Sequence, residues 1–269
     1  MSDSAWHLEF KQRLIECRRC PRLVAYREEI ARTKVKRFQT IDYWGRPVPS
    51  FGDPDARLLV IGLAPAAHGG NRTGRMFTGD RSGDWLYEAL YGAGFANRPA
   101  STHANDGLAL RDCYITAAIH CAPPANKPLG EESAACRPYL LQELQRLEQI
   151  CAVIVLGRSA LNAYLSARRA LGLPVPSPVP TFGHARCHGI DGLTLICSYH
   201  PSQRNTFTGR LTREMFHQVF QCARAALEVP PAIGKRAGRS SAKHSTRGLN
   251  PARRFCAVAR VRASGSRPQ

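Results

Sequence analysis

A glycine-rich segment at residues 62–80 is the first part of the chain that could bind a ligand or take part in a reaction. Gly69 and Gly74 have the spacing of a phosphate-binding loop, but that motif continues with Lys and a metal-binding Ser or Thr, where this chain has Arg75 and Met76. The glycines do not follow the dinucleotide-binding pattern either. An ordinary flexible loop is the plain alternative, yet a loop this long after a buried strand is usually functional. We therefore expect it to border a ligand site, but not one that hydrolyses a nucleotide.

A histidine begins the second unusual segment, residues 200–212. His200 follows an apolar run, and an imidazole at the end of a strand can hydrogen-bond or protonate a ligand. A lone histidine is more often structural, but a position at the carboxyl end of a strand favours a functional role. Arg204 and Arg210 stand in the same segment among small polar residues, which is typical of a loop that contacts phosphates.

The chain has ten cysteines, and four of them form a possible ligand set. Cys17 and Cys20 form a Cys-x-x-Cys pair, and Cys121 and Cys136 flank a proline-rich loop. In a reducing compartment such thiols are metal ligands, catalytic groups or buried small hydrophobes, and a redox pair would need a thioredoxin-like context that this N-terminal position lacks. Zinc and an iron–sulfur cluster both stay open on ligand type alone. The thiols inside apolar runs are expected to be buried: Cys113, Cys151 and Cys197.

These segments must be positioned by a sheet, and four apolar runs predict its strands at residues 57–62, 113–119, 151–157 and 193–199. Helices are predicted at residues 5–17, 82–92, 131–149, 159–170 and 212–227, and an extended loop at residues 26–56. The alternation predicts a three-layer α/β/α fold around a central, mainly parallel four-stranded sheet. The ligand crevice of such a sheet lies at the carboxyl ends of its strands, where the unusual loops fall.

The net charge of +18 in 269 residues favours a polyanionic partner, most simply nucleic acid. Residues 229–269 carry ten Lys and Arg and no acid, and their composition predicts a basic, disordered tail. Residues 1–228 are predicted to form one domain, which keeps 28 basic against 20 acidic residues and is therefore basic itself. No apolar run approaches the ~20 residues of a membrane span and no signal peptide is recognisable, so we expect a cytoplasmic protein.

Two of these segments resemble the motifs of a known enzyme family. Residues 62–75, together with Phe77 and Asp80, closely resemble the first motif of the family 5 (type B) uracil-DNA glycosylases, and residues 200–212 resemble their second motif. Four thiols match the iron–sulfur ligands that the family 4 and family 5 enzymes share: Cys17, Cys20, Cys121 and Cys136. The likeness spans roughly residues 10–227. It implies a uracil-DNA glycosylase-like fold, a structural [4Fe-4S] cluster, and hydrolysis of the N-glycosidic bond of uracil and of other deaminated bases, such as hypoxanthine, in DNA.

The resemblance also implies roles for individual side chains. Phe77 would stack on the extruded base, and Asn126 would read the polar edge of that base and assist catalysis. His200 would stabilise the oxygen of the leaving base, and Asp80 would hold the attacking water. Ala64, which follows the first strand, would border the base pocket. We expect three arginines to contact DNA: Arg75, Arg204 and Arg210. We also expect the protein to act as a monomer.

The implied chemistry is consistent with these residue types. A base inside a duplex cannot be reached, so it must be flipped into a pocket while a basic surface holds the phosphates. Cleaving the bond develops positive character on the sugar and negative charge on the base. A histidine or amide near the base and a carboxylate near the sugar stabilise those charges.

Two positions depart from the pattern of other uracil-DNA glycosylases. Those enzymes have an acidic residue directly after the first strand, and residues 63–66 of this chain have none, so Asp80 is a displaced substitute that could instead cap the next helix. They also place a leucine wedge four residues after the histidine of the second motif, where this chain has Arg204, so the intercalating group is undecided. Two rival functions stay open: a non-catalytic zinc or iron–sulfur nucleic-acid-binding module, and a nucleotide-binding enzyme with a degenerate phosphate loop.

Overall fold

The computed structural model describes residues 5–228 of the chain. The four predicted strands are all present, as β2 (Leu58–Gly62), β3 (Cys113–Ala117), β4 (Ala152–Leu156) and β6 (Leu193–Ser198). They run parallel in the order β3-β2-β4-β6. Every residue of the first three is buried, since their continuous apolar runs are covered on both faces. The predicted parallel core is thus confirmed.

Two short antiparallel strands extend this core into a six-stranded sheet and were not predicted. One edge is β1 (Phe51–Gly52), which pairs with β3, and the other is β5 (Arg186–Ile190), which pairs with β6. The first has two residues, and the second is polar and mostly half-exposed, so neither gives an apolar run in the sequence.

Eight helices surround the sheet in the described part of the chain: α1 (Ala5–Ile15), α2 (Pro21–Thr33), α3 (Gly70–Thr73), α4 (Arg81–Gly92), α5 (Gly130–Arg146), α6 (Arg158–Ala170), α7 (Gln203–Phe207) and α8 (Arg213–Glu228). Helix α2 corrects the prediction that residues 26–56 form a loop throughout. Its first residue is Pro21, which suits a helix start, and it buries Leu23 and Val24. None of these helices is long and apolar enough to cross a membrane.

Successive strand residues point to opposite layers. Leu58 and Val60 of β2 pack with α4 and α8, whereas Leu59 and Ile61 pack with α5 and α6. A third cluster joins α1 and α2 to the end of β3 and to α5. The three layers predicted from the sequence are therefore present. The predicted basic tail falls on residues 229–269, outside the described residues.

Candidate active site

A cavity of about 560 Å³ opens where the loops after β2, β3, β4 and β6 meet. This is the carboxyl edge of the parallel strands, where ligands bind in such sheets. Six of the residues singled out from the sequence line it: Ala64, Phe77, Asp80, Asn126, His200 and Arg204. The fold thus brings together side chains that are up to 140 positions apart in the chain.

Phe77 lies against the end of strand β2. A Cβ atom on Gly62 would stand 2.8 Å from Cζ of Phe77, so the ring fits there only because residue 62 has no side chain. The ring centre is 6.0 Å from that of His200, with 32° between the planes. Phe77 has a φ of 52°, in the left-handed region that a phenylalanine rarely adopts. The backbone is thus held in an uncommon conformation at the residue that covers one wall of the cavity.

His200 follows β6 and is half-buried in the cavity wall. Burial lowers the pKa of its imidazole to about 4, so the ring is neutral near pH 7. A neutral imidazole still carries one N–H donor. The side chain of Asn205 donates a hydrogen bond to the His200 carbonyl oxygen at 2.9 Å, which holds this turn in place. Sequence reasoning did not single out Asn205, because an asparagine in a polar loop gives no signal of its own.

Asp80 has two roles in this geometry. Its carboxylate Oδ1 accepts a hydrogen bond from the backbone N–H of Gly83 at 3.0 Å, so it is the N-cap of α4, as the alternative interpretation held. The other oxygen, Oδ2, fills the space where a Cβ atom on Gly69 would stand, 2.0 Å away. Burial raises the pKa of Asp80, although backbone hydrogen bonds from Gly83 and Ser82 act in the opposite direction. The cap occupies Oδ1, and the carboxylate still lines the cavity.

Asn126 ends a short 3-10 turn, Pro124–Asn126, and reaches the cavity from the loop after β3. Its φ is 55°, a conformation that asparagine tolerates better than most residues. The residue is exposed, and its backbone N–H donates to the Pro123 carbonyl oxygen at 3.1 Å. The side-chain amide is directed to no partner among the described residues, so it is available to a ligand.

The three arginines expected to contact DNA lie in different places. Arg204 is exposed at the cavity, and Arg210 is exposed beside it, with its guanidinium 4.5 Å from the ring centre of Tyr199. Arg75 is buried instead: its Nη1 lies 2.6 Å from Oδ1 of Asp106, and it also donates to Ser101. The prediction that Arg75 contacts DNA is therefore wrong, because its charge is already paired in the interior.

Two further exposed arginines line the cavity and were missed by sequence reasoning. Arg81 and Arg158 are the first residues of α4 and α6. In a chain with 38 Lys and Arg, a single arginine carries little information. The position of Arg158 could have indicated its role. It directly follows the predicted strand 151–157 and therefore had to lie at the carboxyl edge of the sheet.

The four candidate thiols line one small apolar pocket between α1, α2 and α5, away from the cavity: Cys17, Cys20, Cys121 and Cys136. Burial raises the pKa of the Cys121 thiol to about 11. Nη1 of the buried Arg27 lies 2.9 Å from Sγ of Cys121. Among residues 5–228, no three His, Cys, Asp or Glu side chains are grouped closely enough to hold a single metal ion.

One helix joins this thiol pocket to the glycine-rich segment. The backbone carbonyl of Arg27, on α2, accepts a hydrogen bond from Nδ2 of Asn71 at 3.2 Å. Asn71 is fully buried in α3, within the segment that leads to Phe77 and Asp80. The same arginine thus contacts Cys121 through its side chain and the loop of the cavity through its backbone.

Known proteins resemble this chain over most of its length. Residues 49–224 match the model of the uracil DNA glycosylase superfamily. A type-5 uracil-DNA glycosylase of Mycobacterium tuberculosis is 49% identical over 210 residues, which cover 77% of each chain. One of Thermus thermophilus is 49% identical over 80% of this chain and 95% of its own, and one of Pyrobaculum aerophilum is 45% identical over 82% and 93%. The chain therefore belongs to the uracil DNA glycosylase superfamily, and within it to the type-5 uracil-DNA glycosylases.

Proposed function

We propose that this protein hydrolyses the N-glycosidic bond of uracil in DNA and leaves an abasic site. The observation that carries the proposal is the single cavity that joins Phe77, Asn126, His200 and Asp80, in a chain whose relatives are named type-5 uracil-DNA glycosylases. A non-catalytic nucleic-acid-binding module would not need a carboxylate, an imidazole and a free amide around one pocket. A nucleotide-binding enzyme is not supported by the superfamily match.

Recognition of the base falls to Phe77 and Asn126. An aromatic ring offers a stacking surface to any planar base, and a side-chain amide offers both a donor and an acceptor. Uracil presents an N–H donor beside carbonyl acceptors, so one amide can pair with two adjacent atoms of the base. The Asn126 amide is exposed and free to make these bonds, whereas a buried amide would already be paired.

Cleavage is assisted from two sides of the bond. The C1′–N bond breaks with its electron pair moving to the base, while the sugar gains oxocarbenium character. A neutral His200 can donate its N–H to the base oxygen, where the negative charge develops. An ionised Asp80 can orient a water and face the cation. The hydroxyl of that water bonds to C1′, and its proton leaves to the carboxylate and then to the base or solvent.

The rim of the cavity suits a DNA strand. Arg81, Arg158 and Arg204 are exposed around it, and phosphate contacts supply much of the affinity of DNA-binding proteins. A second cavity of about 490 Å³ adjoins the first and includes Lys127 and Arg137 in its lining. It provides space and charge for nucleotides next to the extruded one.

Acceptance of larger deaminated bases, such as hypoxanthine, forms part of the proposal. The cavity wall includes the small side chains of Ala64 and Ala66, and a volume of about 560 Å³ leaves room for a purine. Asn126 can pair with the amide edge of hypoxanthine as with that of uracil, because both present a carbonyl beside an N–H. We further propose that the protein acts as a monomer in the cytoplasm, where the DNA of bacterial and archaeal relatives lies.

The thiol pocket fits a [4Fe-4S] cluster. Four thiols from two distant segments surround it, which is the donor set of such clusters. The buried Nε of Arg27 has no acceptor among the described residues, and Nη1 of the same side chain lies 2.9 Å from Sγ of Cys121. A four-thiolate cluster is anionic, so a buried guanidinium beside one of its ligands suits such a group. Each thiolate of a four-iron cluster binds a different iron, so its ligands stand farther apart than around one ion, consistent with the lack of a single-ion site in residues 5–228. The bound cluster would link the N-terminal helices to α5 and supply no step of the hydrolysis.

An excision assay tests the function. Purified protein is incubated with a duplex that has one uracil, and the strand is then cleaved at abasic sites. We expect a single product at the uracil and none with a thymine control. Binding of the duplex without cleavage would instead support the non-catalytic module. Iron, sulfide and zinc analysis of anaerobically purified protein separates an iron–sulfur cluster from zinc.

A further inference from the structure

We propose that Phe207 is the side chain that enters the DNA stack when the base is flipped out. The inference rests on the proposed glycosylase function and adds to it the residue that fills the vacated space. Phe207 is 65% exposed, more than any other large apolar side chain in the described part of the chain. A single exposed phenylalanine is common on protein surfaces, so the proposal depends on where Phe207 lies relative to the cavity.

Phe207 stands on the helix face that borders the base cavity. Gln203 and Arg204 of α7 line that cavity. Residues three and four positions apart share one face of a helix, so Phe207 lies on the same side as both, one turn farther from the pocket. The exposed ring is thus placed beside the cavity mouth, where the duplex must lie if its extruded base occupies the cavity.

The ring also contacts a neighbouring cation. The guanidinium carbon of Arg81 lies 4.4 Å from the centre of the Phe207 ring, and Arg81 itself lines the cavity. A cation over one face of the ring orients it and lowers the cost of ordering it on binding. Arg81 and Arg204 are both exposed at the cavity near the ring, where they can contact phosphates of the bound strand.

The physical need for such a residue is general. Extruding a base removes two stacking contacts and leaves an apolar gap between its neighbours, and proteins commonly fill such a gap with an apolar or aromatic wedge. The wedge position expected from other uracil-DNA glycosylases is Arg204, whose charged end fits a phosphate better than the interior of a base stack. Phe207 supplies the planar apolar surface that Arg204 lacks.

The test compares paired and unpaired uracil. Single-turnover excision is measured on a duplex with a paired uracil and on the same sequence with the uracil in an unpaired bubble, for the unaltered protein and for Phe207→Ala, Phe207→Leu and Tyr91→Ala. Tyr91 is another exposed aromatic residue, on the last turn of α4 and about 15 Å along that helix from its start at the cavity. A 2-aminopurine beside the uracil reports loss of stacking by its fluorescence.

We expect Phe207→Ala to slow excision of the paired uracil by roughly 10- to 100-fold, as for loss of one base–aromatic stack, and to weaken the 2-aminopurine signal. Excision from the bubble should stay within about threefold, because the base there is already unstacked. Phe207→Leu should keep much of the paired rate, and Tyr91→Ala should change neither.

Equal losses of Phe207→Ala on both substrates, or no loss on either, would overturn the assignment of the wedge. If the unaltered protein excises no uracil from either substrate, the proposed function itself fails, which is a different result from an unchanged Phe207→Ala variant.

Discussion

The carboxylate of Asp80 accepts the backbone N–H of Gly83 at 3.0 Å, so a residue that lines the cavity also caps helix α4. Substitutions can distinguish the helix-capping role of Asp80 from its role in the cavity. Asparagine caps a helix about as well as aspartate, but it lacks the charge that orients water and favours an oxocarbenium ion.

We expect Asp80→Asn to lower single-turnover excision by on the order of 10²–10³ with little change in thermal stability. Asp80→Ala should lose activity and also about 1 kcal/mol of stability, because it removes the cap. Rapid-quench kinetics and thermal unfolding of both variants check this. Near-normal excision by Asp80→Asn would show that the residue is only a cap.

His200→Ala should also reduce the single-turnover rate by on the order of 10²–10³, because it removes the donor to the departing base. Since burial lowers the pKa of His200 to about 4, the imidazole stays neutral from pH 5 to pH 8, and its titration should not shape the rate there. A fall in rate on the acid side should instead follow protonation of Asp80, whose pKa is raised. The pH–rate profile of the unaltered protein checks this. A limb that disappears in His200→Ala but persists in Asp80→Asn would contradict the assignment.

Cys136→Ser should remove iron from the protein and reduce its solubility, because Cys136 is buried in the thiol pocket between α5 and the N-terminal helices. Cys222→Ser is a matched control, since that half-buried thiol lies on α8, outside the pocket. Iron content and visible absorbance after anaerobic purification measure the effect. A stable, colourless and fully active Cys136→Ser protein would rule out a structural cluster.

Stability should fall as pH rises from about 4.5 to about 7, because of Glu143. This residue of α5 is fully buried and accepts a hydrogen bond from Thr116 at 2.7 Å, and burial raises its pKa from 4.5 to about 7. The folded state therefore holds a proton that the unfolded state releases, so protonation stabilises the fold at low pH and this contribution is lost as pH rises through 7. The size is on the order of 3 kcal/mol.

Urea unfolding at pH 5 and pH 8 measures this effect. Glu143→Gln should flatten the difference between the two pH values, because glutamine does not titrate. Equal pH dependence in the variant and the unaltered protein would assign the effect to other groups.

The sequence predicted the parallel core well because an apolar run of five residues covered on both faces leaves a clear signal. The prediction was wrong or incomplete for elements whose formation depends on tertiary contacts. The charged residues of α2 conceal a short apolar face, and β5 forms only because β6 offers an edge to pair with. Arg75 was predicted to contact DNA, but it forms an ion pair with Asp106, which is 31 residues away in the chain. No local sequence pattern predicts that pair.

The site was predictable for a related reason. The carboxyl ends of parallel strands must share one edge, so Phe77, Asn126 and His200 had to be neighbours once their strands were known. The exposure of Phe207 and its contact with Arg81 depend on how α7 lies against α4, which the sequence does not specify.

Helix α2 connects the thiol pocket to the loop that forms part of the cavity wall, although the hydrolysis itself needs no group from that pocket. Arg27 contacts Cys121 through its side chain and Asn71 through its backbone carbonyl, so α2 touches both the thiol pocket and the loop that carries Phe77 and Asp80. Breaking a C–N bond with water transfers no electron. If the thiol pocket holds the proposed cluster, oxidative damage to that cluster would loosen α2 and the cavity wall next to it, and excision would slow although no electron is transferred. With such a cluster in place, repair of uracil in DNA by this protein would depend on the supply of iron and sulfide in the cell.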